Sequence, residues 1–125
     1  MDKKLQNQLF KKYPKLFRQR LLNKETSPMF WGITCGNGWY NIINCLCFAL
    51  DQMNDKVEAC QVKQKFGGLR FYIDHGTEMQ QRLCSLVGSI SFGFCELCGS
   101  VDDVKTTKGG YVETLCGKCR KKTKK

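Results

Sequence analysis

Four cysteines towards one end of the chain have the spacing to act together. Cys95 and Cys98 form one CxxC pair and Cys116 and Cys119 a second, with seventeen residues between Cys98 and Cys116. Two such pairs can deliver four thiolates to one tetrahedral zinc ion, and a site closed by four sulfurs keeps no open position for a substrate. The expectation is therefore a single structural Zn2+ held by Cys95, Cys98, Cys116 and Cys119, with two disulfides or free dithiols as the bland alternatives. Gly99 and Gly117 stand where the backbone must turn back so that its amides can point at the sulfurs. The other five cysteines, Cys35, Cys45, Cys47, Cys60 and Cys84, sit among apolar residues and read as small buried hydrophobes.

A second group of residues suits binding. The segment from Trp31 to Tyr40 holds three glycines and three large aromatics. Glycines permit close backbone approach, and amides at a helix start attract anions. Trp31, Trp39 and Tyr40 for stacking, Asn37 for hydrogen bonding, and Lys63, Lys65, Arg70 and Tyr72 on a downstream hairpin make a parts list for a ligand that carries bases and phosphates. The competing reading is that these aromatics belong to the core. No phosphate-loop or dinucleotide fingerprint accompanies the glycines.

Catalytic groups are sparse. The single histidine, His75, follows Asp74, and no serine or cysteine pairs with it by spacing; nor does any spacing make acid–base partners of Asp51, Asp55 and Glu58. The chain reads as a binder before an enzyme.

These groups need elements to position them. At 125 residues the chain can bury one modest core, and we divide it into a small α+β domain (1–92), a zinc ribbon (93–121) and a basic tail (122–125). Leu5, Leu9 and Phe10 fit a short helix ended by Pro14. Leu16, Phe17, Leu21 and Leu22 continue the apolar pattern up to a surface loop at 23–27. From Trp39, apolar residues recur at three and four positions as far as Met53, the pattern of an amphipathic core helix. Val57–Phe66 and Leu69–Ile73 read as strands joined by a turn at Gly67 and Gly68. That turn predicts Phe66 opposite Leu69, Gln64 opposite Phe71 and Val62 opposite Ile73 on an apolar face. It sets Lys65 opposite Arg70 and Lys63 opposite Tyr72 on the other, where two facing cations ask for an anion. Thr77 to Gln80 fits a capping box opening a further helix, and 104–115 reads as the ribbon's short hairpin. The fold class is thus α+β, helices packed on a small antiparallel sheet, followed by a four-cysteine ribbon.

The net charge is +10, concentrated at 3–20 and 118–125, and both ends would be drawn to polyanions. The tail can equally be a solubilising extension. The odd number of cysteines, nine, and a first stretch without an apolar signal core fit a reducing cytosol, and no apolar run is long enough to span a membrane.

The runs KKYPKLFRQR (11–20), MFWGITCGNGWYNII (29–43) and QVKQKFGGLRFYI (61–73), together with the paired CxxC knuckles, resemble a group of small phage and prophage zinc-ribbon proteins over most of the chain. The region between core helix and hairpin is short here compared with longer relatives. The resemblance implies a viral accessory protein acting in the cytoplasm of a bacterial host, and carries no settled activity with it. Three functions fit. One is counter-defence by binding and sequestering a nucleotide immune signal, with the glycine–aromatic segment as the pocket. Another is a nucleic-acid-binding ribbon protein that modulates transcription or a nuclease. The third is a protein inhibitor that docks on a host defence enzyme. Self-association is compatible with each.

Overall fold

The computed structural model describes residues 1–123, so the tail residues Lys124 and Lys125 lie outside the described residues. The element order is helix α1 (Lys3–Lys12), strand β1 (Ile33–Thr34), helix α2 (Tyr40–Met53), strands β2 (Glu58–Lys65) and β3 (Gly68–Asp74), helix α3 (Glu78–Ile90), strands β4 (Lys105–Thr106) and β5 (Thr114–Leu115), and helix α4 (Gly117–Thr123). This is the α+β arrangement that the sequence predicts. Short 3-10 turns fill the connections at Arg18–Leu21, Pro28–Trp31, Asn37–Trp39 and Ser91–Gly93.

β2 and β3 pair antiparallel, and β1 adds to the other edge of β2 in parallel, giving the order β1-β2-β3. A two-residue strand leaves no periodic signal, which is why β1 is invisible in the sequence. Leu9, Leu16, Phe17, Met29, Trp39, Ile43, Leu46, Leu50 and Val62 are the buried heart of the body. The capping box of α3 forms as read: Thr77 Oγ1 accepts the Gln80 amide at 3.1 Å, and Gln80 Oε1 accepts the Thr77 amide at 2.8 Å. Buried Gln80 also donates to the Leu50 carbonyl, so the cap fastens α3 to the end of α2.

The hairpin differs from expectation in register. Lys65 pairs with Gly68, Gln64 with Leu69, Lys63 with Arg70 and Val62 with Phe71. The turn is therefore Phe66–Gly67, with φ of 53° and 84°, and not Gly67–Gly68. Packing overrides the two-glycine preference. A Cβ on Gly68 would lie 2.5 Å from the Phe92 ring, so glycine is required inside the strand, beneath that ring. From Val62 to Lys65 each residue's partner moves by two positions, and beyond an irregularity between Ala59 and Gln61 Ile73 pairs with Ala59, so both faces keep their members. Phe66 alone leaves the apolar face for the tip. A bulky side chain in the left-handed region costs roughly 1–2 kcal/mol.

One further expectation is corrected. Cys45 is exposed, on the outer side of α2, unlike buried Cys35, Cys47 and Cys84 and half-buried Cys60. Leu21 and Leu22 face solvent and, with exposed Phe30 and Trp31 on the adjoining 3-10 turn, leave apolar side chains uncovered. Phe30 and Trp31 pack edge to face, with centroids 5.2 Å apart.

Candidate functional site

The ligand atoms of Cys95, Cys98, Cys116 and Cys119 all lie within 4.8 Å of one another. Cys98 and Cys116 Sγ are 3.6 Å apart, far beyond a disulfide's reach of about 2.05 Å. Sulfurs about 2.3 Å from a tetrahedral ion stand about 3.8 Å from each other, so this cluster can hold a metal ion. The backbone supports it. Gly99, at φ 82°, turns the chain so that its amide returns to the Cys95 carbonyl at 2.8 Å. Burial raises the Cys95 thiol, but the amides of Cys116, Cys98 and Leu97 aimed at its sulfur prevail and bring it down to about 7. The Cys119 thiol is pushed up to about 12 by burial and by the sulfurs beside it. Four sulfurs this close carry their full negative charge only with a cation among them.

β4 and β5 brace the cluster, and α4 begins directly after Cys116. Arg120 ties these parts together by donating to the Leu115 carbonyl at 2.8 Å and pairing with Asp103, whose carboxyl it holds below the usual range.

The ribbon does not stand apart from the body. Gly38 donates to the Glu96 carbonyl, and the Gly36 amide donates to the Glu96 carboxylate at 2.9 Å. Trp39, fully buried, donates its indole N–H to the Phe94 carbonyl at 3.0 Å. At the sheet end, Gln64 donates to the Val112 carbonyl at 2.7 Å, and Thr114 Oγ1 donates to the Gly67 carbonyl at 2.6 Å. Burial raises the Glu96 carboxyl, while the Gly36 amide and Gln64 favour its ionised form.

These contacts revise the glycine–aromatic segment. Gly36 and Gly38 do permit close approach, but what approaches is the first cysteine knuckle, while Gly32 makes room for the Gln6 side chain. Trp39 has no face left for a ligand, a correction to its expected stacking role. Asn37 Oδ1 accepts the Asp2 amide at 2.8 Å, and the Tyr40 hydroxyl donates to Gln8 at 3.2 Å. Trp31 points to solvent, 64% exposed.

The sheet residues form a different surface. Thr34, Lys63 and Arg70 run across the outward face of the three strands, with Gln61 beside Tyr72 in the next row. Lys63 and Arg70 are directly opposed, and no described ion pair includes Lys63, Lys65 or Arg70. Two grooves flank this face. One of about 340 Å³ lies between β3 and α3, with Arg70 and Tyr72 on one wall and Gln81, Ser85 and Ser89 on the other. A second, of about 280 Å³, lies between the hairpin tip and the ribbon loop, lined by Lys63, Lys65, Phe66 and Tyr111. Neither groove contains a residue of 31–40, so the expected ligand set divides into two separate groups.

The carboxylates near His75 are occupied structurally. Glu58 pairs with Arg18 at 3.2 Å and lies 3.8 Å from His75, while Asp74 accepts from Gln19 at 2.8 Å. Sequence reasoning missed Glu96, Gln64, Phe66 and Tyr111. A faint signal existed for the last two, since each adjoins a glycine pair. Among the described residues no helix is long and apolar enough to cross a membrane. No protein-family model matches the chain, and comparison with curated proteins and with solved structures found none similar to it.

Proposed function

We propose that this chain is a non-catalytic, zinc-stapled module that binds nucleic acid on the outward face of its sheet. The observation that carries the reading is the direct opposition of Lys63 and Arg70 on an open face, with Lys65 nearby and no carboxylate among the described residues paired to any of them. Facing cations cost a hairpin some tenths of a kcal/mol, a cost that a phosphate backbone removes. Tyr72, exposed in the same sheet, adds a ring on which a base can stack. Zinc is the ion best suited to four thiolates in a closed tetrahedron, and its role here is to fix the ribbon against the body. The resemblance to phage proteins supports an action in the infected bacterial cytoplasm, on transcription or on a defence nuclease.

The test is fluorescence polarisation with labelled oligonucleotides at two salt concentrations. Binding should weaken steeply with salt, and Lys63→Glu with Arg70→Glu should remove it. Salt-insensitive binding, or full affinity in the double variant, refutes the reading.

A second reading, sequestration of a nucleotide immune signal, is favoured by the groove between β3 and α3. Its volume of about 340 Å³ and the guanidinium of Arg70, in no ion pair among the described residues, suit a phosphorylated small molecule. Native mass spectrometry of protein purified from bacterial cells distinguishes the two, since only the second predicts a co-purified phosphorylated adduct.

A further inference from the structure

The hairpin tip holds an arrangement that ordinary folding does not explain. Phe66 occupies the first position of a tight turn at φ 53°, where glycine, asparagine or aspartate is at ease, and its ring is 71% exposed. A strained backbone that presents an apolar ring to water brings the fold nothing, which points to use elsewhere. Across the groove, Tyr111 is presented by an open loop in which Gly109 and Gly110 both have positive φ and nothing stands within 4 Å of either would-be Cβ. Its ring is 73% exposed. Two rings, carried by elements distant in sequence, thus flank one groove. Lys63 and Lys65 line the same groove, and the Lys65 ammonium sits 5.8 Å from the Phe66 centroid.

From this geometry we infer that the groove between Phe66 and Tyr111 takes an unpaired base, so that the nucleic acid bound is single-stranded. The inference rests on the sheet-face reading above and narrows it. Rings accept any base by its π-face, whereas bases stacked within a duplex offer no such face to an inserted side chain. The cations lie on the hairpin side of the groove, and the carboxylates that act on the Tyr111 hydroxyl, Glu96 and Glu113, belong to the ribbon, so the phosphates run along Lys63 and Lys65. Buried Glu96 is engaged by Gly36 and Gln64 and does not face the ligand.

The experiment compares a labelled oligothymidylate with a duplex of equal length, using the full metal-loaded chain. Wild type should prefer the single strand. Phe66→Gly and Tyr111→Ala should each weaken single-strand binding about tenfold while leaving duplex binding within about twofold. Phe66→Gly keeps the fold, because glycine adopts that φ freely, and an unchanged or higher melting temperature verifies this. Equal affinity for both nucleic acids, or full single-strand affinity in both aromatic variants, overturns the inference while leaving the sheet-face reading intact. Absence of binding to either nucleic acid overturns both.

Discussion

Gly38 and Glu96 meet backbone to backbone, with the Gly38 amide 2.7 Å from the Glu96 carbonyl oxygen. A methyl group at Gly38 would lie 2.1 Å from the neighbouring Cys95 carbonyl, an atom held by the knuckle itself. Gly38→Ala should therefore destabilise the chain by about 3 kcal/mol, because neither backbone can yield. Gly109→Ala is the control, with open space around it and only its φ of 74° to oppose the change. Urea midpoints of the two variants should differ clearly in that order.

Metal removal should loosen more than the ribbon. Trp39 is the buried indole that the knuckle satisfies, and Trp31 is the exposed one. In a Trp31→Phe background, emission reports Trp39 alone. Chelation should shift it to longer wavelength, and restoring zinc at one equivalent per chain should reverse the shift. An emission spectrum indifferent to chelator would show that the knuckle docks without metal.

The thiols should divide sharply in reactivity. Burial pushes Cys35 and Cys84 up to about 12 and Cys47 well above its ordinary range, so these three stay protonated near neutral pH. Thiolate is the nucleophile, so native alkylation of the metal-loaded chain should mark exposed Cys45 first and leave those three until unfolding. The same burial sets a pH dependence. The folded chain keeps the Cys35 and Cys84 protons to about pH 12, whereas an unfolded chain releases them near 9.0. Stability should then fall as the pH rises through that window, and replacing both residues with alanine should flatten the decline.

Phe66→Gly should stabilise the hairpin by about 1 kcal/mol, since it relieves a left-handed phenylalanine without disturbing the register set by Gly68 and Phe92. A thermal melt measures this directly. A loss of stability would mean that the exposed ring packs against something in solution.

The cysteine knuckles, α2, the capping box and both faces of the hairpin were legible in the sequence because each rests on a local period or a fixed spacing. What failed was long-range. The register depends on Phe92 sitting over Gly68, twenty-four positions away, and no local turn rule contains that contact. The glycines at 36 and 38 announced a close approach correctly, but a sequence does not say whether a ligand or the chain's own carbonyl makes it. Cys45 looked buried because apolar neighbours surround it in sequence, whereas successive residues of a helix point to different sides and only those three or four apart share one.

The bond between Trp39 and the Phe94 carbonyl spans fifty-five positions, which sets an order of events during synthesis. At roughly 5–20 residues per second, a ribosome takes about 3 to 11 s to travel from one partner to the other. Until the Phe94 carbonyl arrives the indole N–H has water as its acceptor, and burying it without that carbonyl would cost about 1–3 kcal/mol. The segment that carries the cysteine cluster is thus the one that completes the packing of the indole ahead of α2.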